Sequence, residues 1–403
     1  MTRAVTPPRT GALVVAAMVL TGLTMRTAVT SVGAVLDDLR AGLHVPSGLA
    51  GLITTLPVIC FAVIGTAAPR LAHHVGEHLL LIASLLLMTV GLVLRAVAGT
   101  VWLFLLLSVL ALCGGAISNV LMPSLVKRHF PSRVGAMTAA YTTAMAVGLT
   151  AAAGLSVPLG HLTSHDGWRL GLGAWALLSA LAVLPWLPSL HGDRPEEGAP
   201  RALSATRLMR SRTAWALALF FGAQSFQAYV AFGWFATFLR DHGASPGHAG
   251  LLIAFYSAVS IPVSIAAPLL ALRGQRALVV GMTACYLSAY VGLLLAPIGG
   301  AWAWMLLAGI GSGMFPLALT MIGLRSRAAE TTGALSAFTQ GVGYTWAGSG
   351  PLLVGVLLGS TNSWSAPFTM LFVVLAIAAV AGWLAAGERY VDDELIRGGA
   401  AAG

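Results

Sequence analysis

Charged side chains are scarce in this sequence: Asp, Glu, Lys and Arg make up 9% of the 403 residues, against 58% hydrophobic. A water-soluble globular chain carries about 25% charged residues. With a mean hydropathy of +0.87, the shortfall excludes that class and points to an integral membrane protein whose spanning backbone is helical. Acidic residues are the rarer sign, 13 against 22 basic. Those near apolar segments (Asp37, Asp38, Glu77, Asp166, Asp241 and Glu330) stand at or beyond segment ends. The usual mid-membrane carboxylate relay of proton-driven carriers is therefore missing, which leaves a proton only the substrate or an interfacial group to ride on. Cysteine is almost absent: Cys60, Cys113 and Cys285 each fall inside an apolar segment without a ligand-like neighbour. They read as small buried hydrophobes, neither disulfides nor metal ligands. No phosphate-binding glycine loop or ATPase signature occurs, which argues against a primary pump. The ten histidines sit in loops and at helix ends without a zincin-like pair. With no nucleophile–base or metal set at depth, neither an enzyme nor a bound cofactor is expected.

What the chain does have is long apolar segments. Twelve reach the ~20 residues a span needs, at 11–36, 47–69, 79–98, 101–122, 134–158, 168–187, 213–239, 248–270, 277–296, 301–323, 331–358 and 366–386. Arg3 and Arg9 precede the first in the manner of a signal peptide, but the run is too long and lacks a convincing cleavage site, so an uncleaved first span is expected. The longest polar stretch, His191 to Arg212, reads as a linker. The expected organisation is thus a first half at 1–190, a cytoplasmic linker at 191–212, and a second half with a short tail at 213–403.

The net charge of +9 invites a nucleic-acid partner, but the basic residues occupy short loops, as the positive-inside rule describes. Only Arg26, Arg40, Arg95, Arg169 and Arg240 stand away from the side that bears both termini; the other 17 of the 22 Lys and Arg lie on it. Both termini are therefore expected in the cytoplasm, the protein being multi-pass in the cell's inner (plasma) membrane, with the lipid bilayer as its surroundings and no nucleic acid. The halves repeat. Ala67-Ala68-Pro69 recurs as Ala266-Ala267-Pro268, Leu39-Arg40 as Leu239-Arg240, and Gly135-Ala136-Met137-Thr138-Ala139 as Gly333-Ala334-Leu335-Ser336-Ala337, at offsets of 199, 200 and 198. Three matches in order at one spacing indicate a duplicated six-helix unit, the parallel repeat of transporters that bind substrate at mid-membrane.

Arg26 lies inside the first segment. A fixed charge there costs roughly 2.5–3.5 kcal/mol on insertion scales, and arginine does not escape by losing its proton. On a helix its face carries Gly22, Thr30, Gly33 and Asp37, a small and polar stripe. Two readings stand: a guanidinium fork that binds a carboxylate-like anion, or a structural arginine held by backbone carbonyls or Asp37. The repeat maps Arg26 onto Gln224, with Gln227 on the same face. That places a neutral amide opposite the cation, unless these glutamines only bond neighbouring helices. Asn119 in the fourth segment, Thr138, Tyr141 and Thr142 in the fifth, and Ser336, Gln340 and Tyr344 in the eleventh add amides and hydroxyls suited to a small polar solute. Packing with satisfied polar groups is their alternative reading. Arg95 and Arg169, at outer helix ends, are expected to snorkel to the interface.

Several strings resemble one family. Met25-Arg26-Thr27-Ala28-Val29-Thr30-Ser31-Val32-Gly33 resembles the first-helix signature of the cyanate/2-nitroimidazole transporters in the major facilitator superfamily. Asn119-Val120-Leu121-Met122-Pro123 with Lys127-Arg128, Phe221-Gly222-Ala223-Gln224-Ser225, Phe315-Pro316-Leu317-Ala318-Leu319 with Arg325, and Gln340-Gly341-Val342-Gly343-Tyr344 with Gly350-Pro351 resemble its fourth, seventh, tenth and eleventh helices. Two departures stand out. Thr27 replaces the family's proline after Arg26, and the loop Pro69 to His78 keeps only Gly76 and a basic tendency of the superfamily's Gly-x-x-x-Asp-Arg-x-Gly-Arg-Arg pattern. The resemblance implies an all-α membrane protein of twelve transmembrane helices in two pseudo-symmetric six-helix halves, the major facilitator fold. It implies a secondary active or facilitative transporter of a small anionic or polar solute, a cyanate-like anion or nitroimidazole-type compound, by alternating access. The substrate-binding set is then Arg26, Thr30, Asn119, Tyr141, Gln224, Gln227, Gln340 and Tyr344, in a monomer. A multidrug or metabolite exporter of the same fold is the first alternative, and a ligand-binding membrane sensor the second.

Overall fold

The structure, a computed structural model, describes residues 8–45, 47–163, 166–192 and 205–400. Among these, helices long and apolar enough to cross a membrane occupy Gly11–Ala34, Leu56–Val75, Glu77–Ala96, Val101–His129, Val134–Gly160, Gly167–Leu190, Arg212–Asp241, Gly247–Leu295, Ala301–Leu324, Ala329–Thr361 and Ser365–Ala385. One of them belongs to a 50-residue helix, Pro246–Leu295. Unbroken, it would run about 75 Å, over twice the ~30 Å hydrocarbon thickness. Gly274 leaves helical geometry (φ −175°, ψ 83°) and divides it into the eighth and ninth spans. The crossings therefore number twelve among the described residues, matching the twelve apolar segments. The protein is all-helical, with no strand among those residues.

The first span is not one helix. It runs Pro8–Thr24 and then Thr27–Ala34, with Met25 and Arg26 in a turn between them. No proline causes this. Instead Thr24 Oγ1 donates to the Thr21 carbonyl (2.9 Å), Thr27 Oγ1 to that of Thr24 (2.8 Å) and Ser31 Oγ to that of Thr27 (2.6 Å). Hydroxyls that bond back onto the preceding turn compete with the helical ladder and bend it. Threonines thus take the role of the proline that Thr27 replaces.

The chain forms two compact units, one of residues 1–131 with 140–202, the other of 132–139 with 203–403. In the first, the first and fifth spans meet through glycine. A Cβ on Gly148 would stand 1.9 Å from the Leu23 carbonyl oxygen, and one on Gly22 would stand 2.5 Å from that of Tyr141. Gly76 turns the chain from the second span into the third at φ 93°, a left-handed conformation open to glycine. This explains why that member of the loop pattern is kept. Beyond it Glu77 accepts from Ser124 Oγ (2.5 Å) and pairs with Arg128 (3.2 Å), while the Nε2 atoms of His78 and His129 meet at 2.8 Å.

Arg95 does not snorkel. It is fully buried, donating through Nη1 to the Ala28 carbonyl (2.8 Å) and through Nη2 to Ser31 Oγ (2.9 Å). Its guanidinium turns to the short Thr27–Ala34 helix instead of to water. Arg169 is likewise tied down, to the Ala96 and Ala98 carbonyls (3.0 and 2.8 Å) and to Asp166.

In the second unit the seventh and eleventh spans pack closely, Gly343 against Phe221 and Gly222, and Gly222 against Trp346. The C-terminal helix Val391–Ala400 starts with three acids. Asp392 caps the Arg327 amide (2.8 Å) and Thr331 Oγ1 (2.8 Å), Asp393 pairs with Arg327 (2.9 Å), and Glu394 accepts from Ser211 Oγ (2.6 Å), Thr213 N (3.2 Å) and Thr213 Oγ1 (2.8 Å). Carboxylates at helix N-termini satisfy amides without helical partners and complement the dipole. The acids thereby hold the starts of the seventh and eleventh spans.

Candidate functional site

Arg26 sits at the break in the first span with φ −111° and ψ −7°, half-buried. Its carbonyl accepts from Val29 N (3.1 Å), Thr30 N (3.0 Å) and Thr30 Oγ1 (2.9 Å), so Thr30 serves as the brace that starts the next helix. The guanidinium lies over the buried ring of Phe61 in the second span, 5.1 Å from its centroid. A cation above an aromatic face is held at ~0.5–2 kcal/mol. Gly115 of the fourth span packs on the same place: a Cβ there would stand 3.3 Å from the Met25 carbonyl oxygen and 3.9 Å from Phe61. Asn119 is one turn further along that helix and is buried. Arg95 reaches the short helix that follows through Ala28 and Ser31. Arg26 is thus placed by neighbours from the second, third and fourth spans. Of the other residues expected on the Arg26 face, Gly33 is exposed, and the Asp37 side chain lies outside the described residues.

Tyr141 faces Gly22 through its backbone, and its side chain is 1% exposed. Its hydroxyl has no hydrogen-bond partner among the described residues. A buried, unmet hydroxyl costs ~1–3 kcal/mol, so an acceptor or donor arriving there would be favoured. Tyr141→Phe is expected to leave the melting temperature of the solute-free protein unchanged or slightly raised, and to weaken solute binding ~3–10-fold, one ordinary hydrogen bond. A clear fall in melting temperature would show that the hydroxyl is already engaged and structural.

The second unit holds the other candidates. Gln340 and Ser336 share a face as their spacing predicts, Gln340 Nε2 donating to Ser336 Oγ (2.8 Å). Tyr344, one turn on, is buried edge-on to Phe221 (5.0 Å between centroids) and near Tyr229 (6.4 Å). Gln224 turns its amide back onto its own helix, to the Phe221 carbonyl (2.9 Å) and Ser225 Oγ (2.7 Å). Gln227 does not share Gln224's surroundings: its Oε1 accepts from Tyr290 of the ninth span (2.5 Å), in a buried aromatic group with Tyr286 and Phe368. That bond draws it towards an interhelical role. Thr138 and Thr142, named beside Tyr141, are both buried.

Sequence reasoning missed Arg95 and Phe61. Arg95 carried a signal, an intramembrane charge, that its place near a helix end obscured. Phe61 carried none, since an aromatic in an apolar span is ordinary.

Twelve helical crossings in a chain with a duplicated pattern, carrying a positioned cation at a helix break, define a multi-pass membrane transporter. The profile of the Major Facilitator Superfamily matches residues 15–351, and the chain belongs to that superfamily. It is 37% identical to the uncharacterized transporter YycB of Bacillus subtilis (strain 168), over 91% of this chain and 92% of that one. It is 31% identical to the 2-nitroimidazole transporter of Escherichia coli (strain K12), over 94% and 96%. It is 28% identical to the cyanate transport protein CynX of the same strain, over 84% and 88%. The fold also matches the proton:xylose symporter XylE bound to 6-bromo-6-deoxy-D-glucose, with a TM-score of 0.74 at 15% identity over 94% of each chain. Members of this superfamily carry small solutes.

Proposed function

We propose that this protein is a secondary transporter of a small anionic or strongly polar solute, of the cyanate-like or nitroimidazole class, working by alternating access, with Arg26 as the principal contact. The observation that carries this reading is the Arg26 guanidinium, fixed at a helix break over Phe61 with its backbone braced by Thr30. The relatives named for 2-nitroimidazole and cyanate support the substrate class. Asn119 and Tyr141 are the partners of Arg26 within the first unit. Gln224 and Gln340 are proposed to offer neutral amides to the solute, with Tyr344 one turn from Gln340. Their amides now bond Phe221, Ser225 and Ser336, and these bonds would be exchanged for solute. Gln227 is the weakest member of the set, because Tyr290 holds it.

A single cation site neutralises a monoanion without a second charge to discharge. An anion entering a negative-inside cell works against ~2.3 kcal/mol per 100 mV. Accumulation therefore needs a co-transported cation, an exchange partner or consumption inside, whereas export needs none of these. The arginine asymmetry supports cytoplasmic termini. Flux of labelled cyanate and of a 2-nitroimidazole into proteoliposomes tests the reading. Saturable flux of either supports it. Binding without flux points to a sensor, and efflux of large hydrophobic dyes unaffected by Arg26 substitution points to a broad exporter.

A further inference from the structure

We infer that the second unit carries a binding site for an anionic phospholipid, built where the seventh span begins and the twelfth ends. A groove of about 760 Å³ runs between these helices. Trp215, Leu219, Val373, Ile377, Val380 and Leu384 form its walls, and Arg210 and Arg212 stand at its mouth. Val380 and Leu384 are each 62% exposed, on helices long and apolar enough to cross the bilayer. Such surfaces meet lipid chains, so what distinguishes this one is its concavity and the charge at one end.

Arg210 and Arg212 are both exposed, and their guanidinium groups have no hydrogen bond or ion pair with the protein among the described residues. The backbone that presents them is held in place. Ser211 between them caps the seventh span by accepting from Ala214 N (3.0 Å), and its hydroxyl donates to Glu394 (2.6 Å). Thr213 donates to the same carboxylate through its hydroxyl (2.8 Å). Glu394 therefore commits its acceptors to Ser211 and Thr213. The indole of Trp215 donates to the Met209 carbonyl (2.9 Å), which sets an aromatic at the level where the apolar wall gives way to the arginines. Trp at that level marks the membrane–water interface.

An occupant must put an apolar tail into a groove that opens to hydrocarbon and an anion at the interface beside two arginines. A water-soluble protein or peptide meets the second demand and fails the first. A zwitterionic lipid meets the first but gains no net attraction from the pair. An anionic phospholipid meets both, and basic pockets between transmembrane helices at the interface bind such headgroups. The opposite wall is continuous with the C-terminal segment that carries Glu394, so a bound lipid would clamp the ends of the seventh and twelfth spans together.

Native mass spectrometry of the full chain in detergent tests this, with phosphatidylglycerol and phosphatidylcholine of identical acyl chains as probes. Wild type should retain phosphatidylglycerol in preference to phosphatidylcholine. Each arginine near the surface is worth about a 5-fold change in affinity, so Arg210→Gln with Arg212→Gln should weaken phosphatidylglycerol retention roughly 25-fold and leave phosphatidylcholine unchanged. Arg207→Gln, an exposed arginine outside the groove walls, should have no effect. Ala376→Trp, which fills the groove without touching charge, should reduce retention of phosphatidylglycerol. Equal retention of the two lipids by wild type, no loss in the double variant, or an equal loss in Arg207→Gln would overturn the inference.

Discussion

Arg26→Gln is expected to abolish solute uptake while the protein stays folded in detergent with an unchanged or higher melting temperature. Two effects set this expectation, and they act in opposite directions. The charge costs roughly 2.5–3.5 kcal/mol to hold at bilayer depth, so its removal does not penalise the fold. The cation over Phe61 (5.1 Å) contributes about 0.5–2 kcal/mol, which the relieved burial cost matches or exceeds. The solute suffers more. Hydrogen bonds to charged groups are worth about 1.5–3 kcal/mol each, and removing both prongs of a bidentate interaction corresponds to a fall in affinity on the order of 100–1,000-fold or more. Arg26→Lys keeps the charge but not the planar fork, so partial recovery is expected. Uptake in proteoliposomes, with melting curves alongside, separates binding from folding. Normal uptake by the Gln variant would end the single-cation reading.

Arg95→Met carries the second large effect, of a different kind. Arg95 is buried without solvent contact and holds the short Thr27–Ala34 helix through Ala28 and Ser31. Its replacement removes two hydrogen bonds from a charged donor, worth about 1.5–3 kcal/mol each, although Met fills much of the volume. A fall in melting temperature of several degrees is expected. The larger consequence is positional: the helix that starts at Arg26 loses its anchor, so solute affinity falls at least 10-fold although Arg26 itself is intact. Arg95→Lys should recover the melting temperature in part, with one of the two hydrogen bonds restored. If Arg95→Met melts lower and binds solute normally, Arg95 supports the fold alone and does not position the site.

The two arginines show what was legible in the sequence and what was not. The twelve spans follow from apolar length, because hydrocarbon thickness fixes how long a crossing must be. The ninth crossing was visible in the sequence even though the eighth and ninth run together as one helix bent at Gly274. Arg95 was misread because its position near a helix end suggests snorkelling, while its hydrogen-bond partners lie more than 60 residues earlier in the chain. The break at Arg26 was masked by the absence of proline. Its signal lay in the series Thr24, Thr27 and Ser31, whose hydroxyls reach the preceding turns. In the second unit the spacing of Ser336 and Gln340 was enough to pair them. By contrast, nothing in the sequence showed that Gln227 turns to Tyr290, because that partner lies on another helix.

Ligand-linked stabilisation of the purified full chain tests the central claim most directly. Cyanate and 2-nitroimidazoles are titrated against neutral amides of similar size, with melting temperature as the readout. A solute that binds the folded state at 100 times its Kd adds about 2.7 kcal/mol of stability. The account predicts a concentration-dependent rise in melting temperature with cyanate or a 2-nitroimidazole in wild type, little or none with the neutral amides, and none with any of them in Arg26→Gln. An equal rise with the neutral amides, or a rise with cyanate that survives Arg26→Gln, would contradict it.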